Sequence, residues 1–323
     1  MRQELYTGRK LGPEDADAPL KTGFDRVLPR SALESMFLKV LESSRFVYTI
    51  PGDPLGQKLK SLAVFHADGD AAAAIARLRV IKSPAEIELI AKATDATVAA
   101  HLDGWRKTRP GVWEYEIAAV MTNAYFDRGC ERSAYAPIVG SGPNSVILHY
   151  MTNHRRLDTG DTVVMDVGAE CSDYATDVTR TVPAGGKFTA RQREIYEVVL
   201  GAQKAAIAAI KPGIRLIGAA PSLHQIALDY INSHGTDLHG GALGKYFVHG
   251  LGHFVGLDVH DAGDPGQLLK AGMVITIEPG IYIPEENIGV RIEDTLVVTD
   301  RGAKNLSAAL PREISDIEKL VGK

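Results

Sequence analysis

Two cysteines among 323 residues cannot build the dense disulfide framework that holds small secreted domains together. Cys130 and Cys171 also match no metal-binding or redox spacing, so we expect two buried small apolar side chains and a reducing, cytoplasmic setting. No run of eighteen apolar residues is present, which excludes a membrane-spanning helix on hydropathy grounds. The opening Met1-Arg2-Gln3-Glu4 leads into mixed polar sequence rather than a signal peptide. Basic residues are not in excess: 36 Lys and Arg against 40 Asp and Glu leave a formal net charge of -4. No broad positive face therefore argues for nucleic acid or an anionic membrane as partner. What the chain does have is 45% hydrophobic and 24% charged residues, enough to bury a substantial core in one large domain or two smaller ones.

Acids carry the first chemical signal. Asp166 and Asp177 stand eleven residues apart in D-V-G-A-E-C-S-D-Y-A-T-D, with Gly168 and Ser172-Asp173 between them. Val163-Val164-Met165 before them and Val178-Thr179-Arg180-Thr181-Val182 after them read as strands of a β-hairpin, which can return the second carboxylate beside the first. Tyr174 is expected to pack beside that hairpin. A lone pair of this kind is ordinarily two solvent-facing strand or turn positions.

The design repeats, however. Leu157-Asp158-Thr159-Gly160 precedes Asp166 as Leu269-Lys270-Ala271-Gly272 precedes Glu278: a glycine stands six residues before each acid and another, Gly168 or Gly280, two after. A further strand, Gly289 to Leu296, supplies a partner carboxylate at Glu293, with Arg291 two residues away on the same strand face. Acids at matched positions inside apolar strands are costly unless paired or ligated. Two such hairpins donating toward a common axis would build a four-carboxylate bowl from a duplicated half-domain.

Histidine adds the remaining signal. His249-Gly250-Leu251-Gly252-His253-Phe254-Val255-Gly256-Leu257-Asp258-Val259-His260-Asp261 holds three of the ten histidines in twelve residues, interleaved with glycines that allow tight turns and close backbone approach. Asp166, Asp177, His253, Glu278 and Glu293 together form the donor set that a pair of hard or borderline divalent cations needs. Manganese suits it, with cobalt or zinc as substitutes, and two adjacent ions imply hydrolysis by a shared hydroxide.

The chain at this point resembles the pita-bread metallopeptidases, and among them the aminopeptidase P and prolidase branch. The likeness runs from about Val80 onward. It rests on I-V-G-S-G-P-N-S-V-I-L-H-Y at 138–150, D-V-G ending in Y-A-T-D-V-T-R-T, H-G-L-G-H-F-V-G-L-D-V-H-D, T-I-E-P-G-I-Y and G-V-R-I-E-D-T. The resemblance implies that Asp166 chelates one ion, His253 and Glu278 the other, and that Asp177 and Glu293 bridge both. It further implies attack of a metal-bridging hydroxide on the carbonyl preceding proline, with Glu278 as proton acceptor and later donor. His260 and His149 would steady the carbonyl oxygen and the tetrahedral intermediate, and His249 would line the pocket for the proline side. Arg291 could orient a metal-bound carboxylate or meet substrate. A peptide with proline second is the implied partner, in a homodimer.

Fold expectations follow from the punctuation of the chain. Ser83-Pro84-Ala85-Glu86 is a capping box with proline at the first helical position, and an apolar stripe from Ile87 to Leu102 continues it to Pro110-Gly111. Further helices are expected from Trp113 to about Arg128, from Ala190 to Ile210 and from Leu216 to Ser233. Helix pair, hairpin, helix pair, hairpin is an α+β plan: a duplicated pita-bread fold with helices outside a curved antiparallel sheet, over residues 80–323. Residues 1–79 read as a short or truncated amino-terminal domain, with a strand at Phe46-Val47-Tyr48-Thr49-Ile50 and a helix from Ala71 to Arg79. Aminopeptidase P and prolidase stay open as alternatives. So do another activity of the fold, such as methionine aminopeptidase or creatine hydrolysis, and a noncatalytic binding module. His66, His101, His154, His224, His234 and His239 carry no readable motif.

Overall fold

A computed structural model describes residues 4–323. The chain divides into one unit ending at Ile75 and a second spanning Ala76–Lys323. The first contains helices α1 (Glu4–Thr7), α2 (Ala18–Thr22) and α3 (Leu33–Leu41), strand β1 (Phe46–Thr49), helix α4 (Pro54–Leu62) and strand β2 (Ala67–Asp70). β1 and β2 run parallel, from Phe46 opposite Ala67 to Thr49 opposite Asp70. Leu41, Val47 and Ala63 form its small core. Helix α5 (Ala71–Arg79) crosses the division.

The second unit opens on α6 (Pro84–Lys107), whose start is the expected capping box: Ser83 accepts from the Glu86 amide, and Glu86 accepts from the Ser83 amide at 2.7 Å. Helix α7 (Glu114–Phe126) pairs with it. Strands β3 (Arg132–Ser133), β4 (Ile138–Ser141), β5 (Thr162–Val167), β6 (Ala169–Cys171), β7 (Tyr174–Ala175) and β8 (Val178–Pro183) complete the first half. The second half repeats the order, with helices α8 (Ala190–Ala208) and α9 (Leu223–His234), then strands β9 (Val274–Ile277), β10 (Gly280–Ile283), β11 (Ile288–Arg291), β12 (Asp294–Thr299) and β13 (Gly302–Asn305), and helix α10 (Ile314–Leu320). β5–β8 answers β9–β12, so the internal echo is structural. β4, β5 and β8 form one antiparallel sheet and β9, β12 and β13 another.

Polar side chains on the helices fasten the strands that carry the acids. His101 of α6 meets the Val178 carbonyl at 3.0 Å, and Gln203 of α8 donates to the Ile277 and Ile292 carbonyls at 3.3 and 3.2 Å. All are fully buried, where an unmet polar group is expensive. The two halves are joined at their strands: the Glu293 amide donates to the Thr179 carbonyl at 3.0 Å, and the Arg291 amide to Thr181 Oγ1 at 3.0 Å.

Three expectations change. The strand expected from Gly289 to Leu296 is broken at Ile292-Glu293, because the Glu293 amide leaves its neighbour to bond across to β8. The helix expected from Leu216 begins at Leu223, capped by Ser222, since the Leu223 and His224 amides bond back to the Arg215 and Leu216 carbonyls and hold Leu216–Pro221 out of helix. Cys130 and Cys171 are buried as expected, but they are joined in a disulfide rather than free. Pairing of β3 with β6 sets Arg132 opposite Glu170 and brings the two cysteine Cα atoms to 4.4 Å, within bonding reach.

Candidate metal centre

The four acids occupy two kinds of position, one of each kind in each half. Asp166 lies near the end of β5 and Glu278 directly follows β9, whereas Asp177 and Glu293 sit in the short breaks before β8 and β12. A residue in such a break escapes strict strand alternation, so its carboxylate can swing across the gap between sheets. His253 comes from the glycine-rich loop, where a Cβ on Gly252 would overlap the Thr276 carbonyl, so glycine alone lets that loop lie against β9.

Donor atoms of Asp166, Asp177 and Glu293 lie within 4.8 Å of one another, as do those of His253, Glu278 and Glu293 and those of Asp177, His253 and His260. His253 Nδ1 donates to the Phe254 carbonyl at 3.0 Å, which turns Nε2 toward Asp177 Oδ2 at 3.4 Å and Glu278 Oε1 at 3.5 Å. Thr179 donates to Glu293 Oε2 at 2.6 Å and Thr276 to Glu278 Oε1 at 3.2 Å. Arg291 donates to Asp166 Oδ2 at 2.5 Å and to the Tyr282 hydroxyl at 2.7 Å. His249 Nε2 meets the same Tyr282 hydroxyl at 2.9 Å.

Charge in this cluster is unbalanced. Burial raises Glu293 well above the usual carboxylate range, and the neighbouring Asp177 and Glu278 add to it. Burial also lifts Glu278 to about 7, with Asp177 adding to the rise against the pull of His253. Asp177 is raised by burial and by Asp166. Burial opposes ionisation of Asp166 as well, but the Arg291 guanidinium and the Tyr135 hydroxyl bring it below its ordinary value. Burial works against a charge on His253, yet its hydrogen bond to Asp177 and the charge of Glu278 push it up to about 9. Burial and Arg291 hold His249 down at about 4, so its imidazole is neutral.

A divalent cation fits this arrangement on two grounds. Among the described residues Glu293 Oε1 is buried with no hydrogen-bond partner, an orphan acceptor that a cation would satisfy. Three acids raised by burial, with neighbouring carboxylates adding to the rise, are also what positive charge at their centre relieves. The cluster borders a cavity of about 440 Å³ that His149, His249 and His260 also line, with Met151, Leu148 and Tyr282 supplying apolar surface.

Sequence reasoning missed Tyr135. Its hydroxyl donates to Asp166 Oδ1 at 2.5 Å and also to Asp177, tying the first acid to the second. Nothing around Ser133-Ala134-Tyr135 announces this, because the contact is made across sheets. Tyr282 closes the T-I-E-P-G-I-Y motif, and its hydroxyl links Arg291 to His249, a role the motif does not announce. Tyr174 packs at the hairpin and donates to Glu86 at 2.9 Å.

A duplicated α+β cup of the pita-bread kind, with buried carboxylates and one imidazole facing a cavity, defines a class of metal-dependent hydrolase. Residues 88–300 match metallopeptidase family M24, and the chain belongs to that family. It is 40% identical to Haemophilus influenzae Xaa-Pro aminopeptidase over 98% of this chain and 79% of that protein. It is 42% identical to Pyrococcus furiosus Xaa-Pro dipeptidase over 71% of this chain and 64% of that protein. Among solved structures, the low-pH form of Escherichia coli aminopeptidase P superposes with a TM-score of 0.89 at 32% identity, covering 99% of this chain and 80% of the other. Divalent metal binding follows for this chain from the family and the donor cluster together.

Proposed function

We propose that the protein is an exopeptidase that hydrolyses the bond between an amino-terminal residue and a following proline, using two divalent ions held by Asp166, Asp177, His253, Glu278 and Glu293. The observation that carries this reading is the orphaned Glu293 Oε1 at the meeting point of the donor groups. Asp177 and Glu293 each stand with donor atoms of more than one group, and together with Asp166, His253 and Glu278 they would hold the ions. Manganese is favoured by the dominance of hard carboxylate oxygens. When bound, the ions supply the positive charge that polarises the scissile carbonyl and acidifies water.

The chain's own groups do the rest. Glu278 accepts a proton from the attacking water and returns it to the leaving nitrogen. Neutral His249, held by Tyr282, lines the proline side, while His149 and His260 at the cavity wall steady the developing charge on the carbonyl oxygen. Arg291 fixes Asp166. The aminopeptidase and dipeptidase readings share all of these groups and differ in how far the pocket extends. The proposal includes a homodimer in the cytoplasm, although the Cys130–Cys171 bond removes the free thiols that argued for a reducing setting; light scattering and cell fractionation are the tests.

The experiment is hydrolysis by the manganese-loaded protein of Xaa-Pro peptides of two, three and five residues, with alanine replacing proline as control. Cleavage of the longer peptides marks an aminopeptidase, and cleavage of the dipeptide alone marks a prolidase. Equal turnover of proline and alanine substrates would contradict both.

A further inference from the structure

His260 sits at the end of a loop whose anchor is its neighbour, Asp261. The Asp261 amide donates to the Phe254 carbonyl at 2.8 Å, closing residues 254–261 into one turn of chain. Its carboxylate is 1% exposed and is held from two sides: Lys82 Nζ donates to Oδ2 at 2.7 Å and Arg79 donates to Oδ1. Arg79 also donates to Asp258 Oδ2 at 2.6 Å, so its guanidinium spans both ends of the Asp258-Val259-His260-Asp261 stretch. Lys82 is fixed in turn by its amide, which donates to the Gly272 carbonyl at 2.8 Å. Gly256 leaves the room: a Cβ there would overlap the Asp261 carboxylate and crowd the Lys82 stem.

A buried ion pair is an expensive way to hold a loop. Lys82 and Asp261 side chains are each 1% exposed, and removing both charges from water costs energy that two apolar residues would not spend. What the pair gives is direction, because two donors on one carboxylate fix its rotation as well as its position. The residue so fixed is the one next to His260, whose ring stands 4.0 Å from the ring of His253 and faces the cavity.

We infer that Arg79 and Lys82, through Asp261, are positioning residues that aim the His260 imidazole at the substrate carbonyl. This rests on the proposed role of His260. Neither residue touches the cavity, so the expected signature is a loss in kcat at unchanged metal content, since a misplaced group harms the transition state more than ground-state binding.

The test compares Arg79→Gln, Arg79→Lys, His260→Ala and the double variant Arg79→Gln/His260→Ala, each as manganese-loaded enzyme on an Xaa-Pro tripeptide, with bound metal quantified. Arg79→Gln should lower kcat by about 10-fold with little change in KM, and Arg79→Lys should recover part of the loss. In the His260→Ala background, Arg79→Gln should cost nothing further, because no imidazole remains to be aimed. Losses that simply multiply in the double variant would overturn the inference and leave Arg79 a structural residue. A His260→Ala variant with parental kcat would instead overturn the reading of His260, and the clamp with it. Should Arg79→Gln not fold, Asp258→Ala removes only the outer contact at a 67% exposed carboxylate, and the same non-additive pattern at smaller amplitude is expected. Additivity there would equally overturn the inference.

Discussion

Thr179 of the first half donates at 2.6 Å to Glu293 Oε2 of the second, and the other oxygen of that carboxylate, 4.0 Å from His253 Nε2, is buried with no hydrogen-bond partner among the described residues. One hydroxyl therefore orients that carboxylate and leaves its other oxygen on the side of His253. The break in the strand at Ile292-Glu293 is what makes the contact possible, since the Glu293 amide is spent on the carbonyl of the same threonine. Arg291 Nε reaches that hydroxyl as well, at 3.3 Å, so the guanidinium that fixes Asp166 also steadies the partner of Glu293.

Removing either acid proposed as a shared ligand should take out metal and turnover together. Asp177→Ala and Glu293→Ala are each expected to lose bound manganese after dialysis and to lose measurable hydrolysis of an Xaa-Pro peptide. Retention of full metal content by either variant would show that the carboxylate is not a shared ligand.

Tyr135→Phe deletes one hydroxyl that donates to both Asp166 and Asp177. Partners of ligating carboxylates typically hold about 10–100-fold in metal affinity. We expect a weakening of manganese binding of that order, read by competition with a chelating dye, in a protein whose circular dichroism is unchanged.

The charge imbalance predicts an uncommon pH dependence for chelator-treated protein. Glu278 and Glu293 are raised by burial, Glu278 to about 7, so each adds stability below its unfolded pKa and gives it up as pH climbs through the folded value. His253, raised to about 9, likewise adds stability below its unfolded value of 6.5 and loses it by about 9. Asp166, lowered by Arg291, acts in the opposite sense, but only below its ordinary value of 3.8. His249, held down at about 4, acts the opposite way below its unfolded value of 6.5, so the melting temperature of chelated protein should fall from about pH 6.5 to pH 9, and added manganese should flatten the slope. A chelated protein that grows more stable across that interval would refute the assignment.

His149→Ala and His260→Ala should lower kcat while metal content stays near that of the parent, because these rings line the cavity and the five proposed ligands remain in place. A loss on the order of 100-fold is expected for a group that stabilises developing charge. Loss of metal in either variant would place the ring among the ligands instead, and for His260 the nearness of its donor atom to those of Asp177 and His253 makes that comparison informative.

Much of the chain's plan was legible because it is local. The Ser83 capping box and the glycine six residues before each of two acids are short-range signals, and they located α6 and both hairpins. The T-I-E-P-G-I-Y and H-G-L-G-H motifs named the family without any coordinates. What failed to show was decided across sheets. Tyr135 reaches two acids that are 31 and 42 residues away, and the strand carrying Glu293 is interrupted by a bond to Thr179 that no periodicity contains. The Cys130–Cys171 bond escaped for a different reason: the register of β3 against β6 within one sheet, and not the spacing, brings the sulfurs together. Arg79 and Lys82 lie 182 and 179 residues from Asp261, with nothing in the sequence to pair them.

The central claim is that acids from both halves form one catalytic metal centre. Stepwise addition of manganese to chelator-treated protein, with hydrolysis of an Xaa-Pro tripeptide as readout, tests it most directly. The account predicts no activity without metal and a plateau at about two equivalents per chain. Activity that survives complete chelation, or none at saturating manganese, would contradict it.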